Sequence, residues 1–95
     1  MPAPLFSDLM SESVITITVK LFAAYQEAYG VSELVLNFPP QTPVIDVLDH
    51  LIAQHPELKQ WRNLTRFGIN LQFVEAETLL QEGDEVVLIP PVSGG

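Results

Sequence analysis

A strict alternation of apolar and polar residues from Val14 to Phe22 is the strongest constraint on the fold of this chain. The apolar residues on one side of the segment are Ile15, Ile17, Val19 and Leu21. A period of two is typical of a β-strand that buries one face. The segment therefore predicts a half-buried strand, with Phe22 on the face opposite Ile17 and Val19.

A second periodicity, with apolar residues three and four positions apart, lies between Thr42 and His55. Its members are Val44, Val47, Leu48, Leu51 and Ile52. This spacing predicts one helical stripe that packs on a sheet. We expect Thr42 to be the N-cap, with Pro43 at the first helical position. Pro56 disfavours helical backbone at His55 and should end the helix there.

The remaining segments predict further strands and short helical pieces. They are a helix-tolerant stretch from Ala23 to Tyr29 that ends at Gly30, a strand from Glu33 to Phe38, a partly helical stretch from Glu57 to Leu64 held by Leu58, Trp61 and Leu64, a segment from Thr65 to Val74 that a turn near Asn70 would split into a hairpin, and a strand from Glu85 to Ile89. This order predicts an α+β fold of the β-grasp type, a mixed sheet with one main helix across one face. The first strand would be central, and the last would pair beside it in parallel through a right-handed crossover.

Length, charge and composition narrow the function classes. The chain has 95 residues and a net charge of −8, so we expect one domain and no nucleic-acid partner, because phosphate binding needs a basic face. The chain has no cysteine, which excludes thiolate metal sites and a cysteine nucleophile. No apolar run approaches the ~20 residues of a membrane-spanning helix. We therefore expect a cytoplasmic protein with no membrane partner.

The two ends of the chain are expected to lie outside the folded body. Residues 1–13 contain no Lys or Arg and lack the pattern of a signal peptide. We expect a flexible leader over 1–13, a β-grasp domain over 14–89 and a flexible tail over 90–95. The tail ends in Gly94 and Gly95, which have no Cβ and so fit a narrow channel, and at full extension it reaches about 20 Å. A frayed terminus that happens to end in glycines is the alternative.

The segment from Gly83 to Gly95 reads GDEVVLIPPVSGG. It resembles the C-terminal signature of the small subunits of molybdopterin synthase, a family of ubiquitin-like β-grasp sulfur carriers. Val19–Gly30, Thr42–Leu51 and Ile69 with Asn70 are compatible with the same family. Gln26 departs from it, because members often carry Arg there.

The resemblance implies a function for the tail. The carboxylate of Gly95, with Gly94 before it, would be adenylated by an E1-like activating enzyme that uses ATP and magnesium. A sulfur donor protein would then supply the sulfur of a thiocarboxylate. The carrier would dock on the large synthase subunit in a heterotetramer and deliver sulfur to cyclic pyranopterin monophosphate. The catalytic side chains would lie on the large subunit, and this chain would bind no cofactor or metal.

The strand phases also predict a docking surface. Phe22 and Ile89 should point outward, and Phe73 joins them if a turn near Asn70 resets the alternation. The expected partner-binding residues are Phe22, Phe73, Ile89, Pro90, Pro91, Val92 and Ser93. An exposed apolar patch is typical of a protein interface, and the family's docking surface is similar. Taken one at a time, Phe22, Phe73 and Ile89 are equally well explained as ordinary exposed side chains, whereas Val92 has a stronger claim because the tail has no core to join.

Three other functions remain open for the same fold. The first is a sulfur carrier for thiamine or cysteine synthesis, although the Pro-Pro-Val before the glycines argues against it. A ubiquitin-like modifier would join Gly95 to lysines of target proteins. A plain acidic interaction domain would have an inert tail.

Overall fold

A computed structural model describes residues 13–91 of the chain. Its strands are β1 (Ile15–Leu21), β2 (Glu33–Phe38), β3 (Arg66–Ile69), β4 (Gln72–Val74) and β5 (Glu85–Ile89), and its helices are α1 (Ala23–Tyr29), α2 (Ile45–Gln54) and a 3₁₀ helix (Pro56–Leu64). Within this range no helix is both long and apolar enough to cross a bilayer. The predicted split of the segment after Thr65 into a hairpin is confirmed.

The strands form one five-stranded mixed sheet in the order β2-β1-β5-β3-β4. β1 is antiparallel to β2 and parallel to β5, and β3 is antiparallel to both β5 and β4. The predicted parallel pairing of the first and last strands is confirmed. β1 lies inside the sheet, but the middle strand is β5, which has two strands on each side.

The core lies between one face of the sheet and α2. It contains residues that are at most 1% exposed on β1, α2 and β5: Ile17, Val19, Leu21, Val47, Leu48, Leu51, Val86 and Leu88. The alternation of β1 and β5 and the stripe of α2 therefore meet on one side of the sheet, as predicted. α2 also ends before Pro56, as predicted.

The predicted start of α2 is wrong. The helix begins at Ile45, and no side chain caps it. The carbonyl of Thr42 accepts a hydrogen bond from the N–H of Leu80 at 2.8 Å, and the N–H of Val44 donates to the same segment. Because these long-range bonds hold the backbone in an extended bridge, Thr42 and Pro43 precede the helix instead of starting it.

The 3₁₀ helix is held to the body by fewer side chains than expected. Leu58 is buried and Trp61 is half-buried, but Leu64 is 58% exposed. The prediction that Leu64 anchors this segment is wrong, because the following residue, Thr65, takes the buried position and bonds to the hydroxyl of Tyr25.

The assignment of the core predicts different costs for two leucine substitutions. Leu48 is fully buried, whereas Leu71 is 90% exposed. Leu48→Ala should lower the free energy of unfolding by about 2–5 kcal/mol, because it leaves a cavity beneath α2. Leu71→Ala, the control, should change it by less than about 0.5 kcal/mol. Urea denaturation followed by circular dichroism measures both values, and similar losses in the two variants would contradict this core.

Candidate functional site

The parallel pairing of β1 and β5 brings two separate parts of the chain to one edge of the sheet. Leu21 stands beside Leu88 in the register. Parallel strands end at the same edge. Phe22 follows β1 there and precedes α1, and Ile89 is the last residue of β5. Pro90 comes next, so the tail begins where β1 passes into α1.

The tail itself is described only at its start. Pro90 is buried and Pro91 half-buried, so the first tail residues lie against the body. The last four residues, Val92, Ser93, Gly94 and Gly95, lie outside the described residues, and their predicted roles stay predictions.

A groove at the base of the tail is formed by α1, the 3₁₀ helix and the end of β5. We call it the tail-base groove, and it is lined by Phe22, Ala23, Ala24, Glu27, Trp61, Ile89, Pro90 and Pro91. The two alanines of α1 leave room between the ring of Phe22, which is 49% exposed, and that of Trp61. Glu27 is the one charged residue among those that line it. The structure thus brings four of the predicted partner-binding residues together.

A buried hydrogen-bond chain fixes the position of Trp61. The hydroxyl of Thr65 donates to the carbonyl of Trp61 at 2.8 Å, so the hydroxyl of Tyr25 donates to Thr65. Burial raises the pKa of Tyr25, which keeps this hydroxyl protonated and able to donate. Sequence reasoning assigned Trp61 only to packing, because nothing local shows that its ring also faces this groove.

A second depression lies on the open face of the sheet, opposite α2. We call it the sheet depression, and it is lined by Gly68, Leu71, Gln72, Phe73, Val87 and Ile89. Phe73 is 70% exposed. Gly68 stands between Phe73 and Val87 in the register, and its missing side chain leaves the floor open between them. Ile89 lines both depressions and joins them into one apolar surface.

The tight turn between β3 and β4 sets the face to which Phe73 belongs. Asn70 and Leu71 have positive φ values of 50° and 72°. The amide nitrogen of Asn70 donates to Asp84 Oδ1 at 3.0 Å, and its oxygen accepts from the N–H of Glu85 at 2.9 Å. Asparagine tolerates this backbone region better than most residues. The turn resets the alternation, so the predicted outward orientation of Phe73 is confirmed, as it is for Phe22.

The other half of the open face is polar. Lys20 Nζ lies 2.7 Å from Glu33 Oε1 and 3.8 Å from Glu85 Oε2. The hydrogen bond and the charge of Glu33, with a smaller contribution from Glu85, raise the pKa of Lys20. The ammonium stays charged and paired, so this half of the face differs from the apolar half around Ile89.

Over residues 13–91, no group of three or more His, Asp or Glu side chains is placed to hold a metal ion. Both histidines pack edge-on against aromatic rings, His50 on Phe38 and His55 on Tyr29.

The ThiS family model matches residues 19–95. The chain belongs to the ThiS family. Its relatives include the molybdopterin synthase sulfur carrier subunit of Arabidopsis thaliana, which is 34% identical over 83 residues and aligns over 87% of this chain and 86% of the relative. The resemblance drawn from the C-terminal signature is thus confirmed.

Solved structures support the predicted ubiquitin-like β-grasp fold. The small archaeal modifier protein 1 of Methanosarcina acetivorans superposes with a TM-score of 0.67 and 33% identity, and covers 86% of this chain and 98% of its own. Subunits 1 and 2 of the molybdopterin-converting factor of Helicobacter pylori form a protein complex, from which the matching chain superposes with a TM-score of 0.56 and 22% identity, over 85% of this chain and 100% of its own. The second likeness shows the fold alone.

The hydrogen bonds of Asn70 predict a measurable contribution to stability. Asn70→Ala removes the two hydrogen bonds that the Asn70 side chain makes with Asp84 and Glu85. It also places an alanine, whose side chain cannot hydrogen-bond, at a positive φ. The free energy of unfolding should fall by about 1–3 kcal/mol. Asn63→Ala, an exposed position on the 3₁₀ helix, should change it by less than about 0.5 kcal/mol. Equal denaturation midpoints for the two variants would show that the turn does not depend on Asn70.

Proposed function

We propose that this chain is a sulfur carrier that acts as the small subunit of molybdopterin synthase. A thiocarboxylate on Gly95 would deliver sulfur to cyclic pyranopterin monophosphate. The observation that carries this proposal is the position of the apolar surface, whose two depressions meet at Ile89, where the tail begins. The name of the Arabidopsis relative supports the same function.

The site suits a protein that presents its own terminus to another protein. A partner that covers Phe73 and Phe22 holds the body in a fixed position, and the six tail residues from Pro90 span at most about 20 Å at full extension. Because glycine has no Cβ, Gly94 and Gly95 pass through a channel too narrow for a side chain. The large synthase subunit is the proposed partner, and it would hold the catalytic side chains.

Activation of the tail completes the proposal. An oxygen of the Gly95 carboxylate attacks the α-phosphorus of ATP and displaces pyrophosphate, which gives an acyl adenylate. Sulfide (HS⁻) supplied by a donor protein then attacks the carbonyl carbon and displaces AMP, and loss of the sulfur-bound proton leaves the thiocarboxylate. A separate E1-like activating enzyme would bind the ATP and magnesium. We also propose that the protein acts in the cytoplasm.

Protein modification through the same carboxylate is a second candidate function. The similarity to the small archaeal modifier protein of Methanosarcina acetivorans favours it. In that reaction a lysine amine of a target protein displaces AMP and forms an isopeptide bond. The two functions share the activation step and differ in the nucleophile that follows it.

The proposal predicts a change of mass at the C-terminus. The chain incubated with ATP, magnesium, the activating enzyme and a sulfur donor should gain the mass that separates sulfur from oxygen, measured on the intact protein. A variant with one alanine added after Gly95 should not restore molybdopterin synthesis. The added residue moves the terminal carboxylate one position further out and brings a Cβ to the end of the tail. Alanine added before Met1 is the matched control and should leave synthesis intact. No mass gain in an active mixture refutes the carrier, and adducts with lysine-containing proteins would favour the modifier.

The apolar surface predicts which exposed side chains matter for docking. Phe73 and Val35 both lie on the open face, 70% and 63% exposed, but Val35 belongs to the polar half on β2. Phe73→Ala should weaken binding to the large subunit about tenfold or more, because large aromatic side chains dominate interface energies. Val35→Ala should leave the affinity within about twofold. Isothermal titration calorimetry measures both, and equal losses would place the docking surface elsewhere.

A further inference from the structure

A cation flanks the apolar surface at the base of the tail, outside the linings of its two depressions. Arg66 is the first residue of β3 and stands beside Ile89 in the register. Its guanidinium carbon lies 6.0 Å from the centre of the Phe73 ring. Arg66 therefore stands next to both apolar side chains that a docking partner would cover.

Arg66 differs from the cations that have carboxylate partners. Lys20 is paired with Glu33 at 2.7 Å, and Arg62 bonds to both carboxylate oxygens of Asp49, at 2.6 and 3.1 Å. Among residues 13–91, no carboxylate oxygen lies within 4.0 Å of the Arg66 guanidinium. In a chain with a net charge of −8, this exposed cation has an uncharged ring as its neighbour; Glu75 lines the same depression as Arg66, but its carboxylate lies more than 4.0 Å away.

Covering the surface changes the surroundings of this charge. The face of an aromatic ring attracts a guanidinium, but it carries no net charge and accepts no strong hydrogen bond. A partner that covers Phe73 and Ile89 also removes water from Arg66. A desolvated charge is costly unless it is paired and hydrogen-bonded, and the planar fork of arginine matches the two oxygens of a carboxylate.

We infer that the docking partner places the carboxylate of an Asp or Glu against Arg66. This inference rests on the proposed function, since it takes the large synthase subunit as the partner. Glu27 is the one charged residue among the described residues that line the two depressions, and it repels a carboxylate placed there. The pair with Arg66 therefore fixes the register of the two proteins, and with it the direction in which the tail leaves Ile89.

The test compares two charge reversals. Arg66→Glu and Lys59→Glu lower the net charge equally, but Arg66 stands beside Ile89 and Phe73, whereas Lys59 is exposed on the 3₁₀ helix, outside the sheet that carries those two residues. Arg66→Glu should weaken binding to the large subunit at least about tenfold, through faster dissociation, whereas Lys59→Glu should change it by less than about twofold. Surface plasmon resonance measures both rates, and equal denaturation midpoints check that the variants are folded.

A neutral variant shows whether the partner group that contacts Arg66 is a carboxylate or an uncharged hydrogen-bond acceptor. Arg66→Gln should bind less tightly than the wild type, and its affinity should fall less steeply with salt, because one ion pair is missing. Equal affinities of Arg66→Glu and Lys59→Glu, or equal salt dependence of Arg66→Gln and the wild type, overturn the inference alone. A wild-type chain that does not bind the large subunit overturns the proposed function and this inference with it.

Discussion

The parallel pairing of β1 with β5 is the interaction on which the rest of the structure depends. The connection between these two strands contains all the other described helices and strands. Their pairing therefore fixes α2 on one face of the sheet and leaves the other face open. Backbone hydrogen bonds secure the start of the pair, from Thr18 N–H to Asp84 at 3.0 Å and from Gly83 N–H to Thr16 at 2.8 Å. Gly83 lies in the turn before β5 and has a φ of 82°, a conformation that glycine adopts without strain. The same pairing brings Phe22 to the base of the tail, so the site exists only in the folded chain.

One face of the sheet contributes to folding stability, and the other is available for binding. The face beneath α2 buries Val19 and Val86 completely, and loss of such side chains acts on the folding equilibrium. On the open face, Phe73 and Leu71 have few contacts to lose. Their exposure costs the isolated protein little, since much of any protein surface is apolar, and it becomes useful when a partner removes that surface from water.

Periodic and local signals in the sequence predict this structure accurately. The alternation of β1, the stripe of α2 and the turn at Asn70 each depend on neighbouring residues, and the outward orientation of Phe73 follows from that turn. Thr42 was misassigned because its backbone bonds to a segment almost forty residues away. The setting of Arg66 was equally hidden, since it depends on the register of β3 with β5 and not on any residue near it in the chain.

A carrier that is charged by one protein and unloaded by another must present one tail, and therefore one tail base, to both in turn. Under the proposed function this limits how strongly the apolar surface can bind, because a carrier held too tightly by either partner would not exchange. Small interfaces with a few anchoring aromatics suit such transient encounters. The charge of −8 contributes to the rate of encounter with basic partners more than to the lifetime of the complex. Specificity would then depend on individual contacts beside the tail base, where Phe73 supplies apolar area and Arg66 supplies a positive charge.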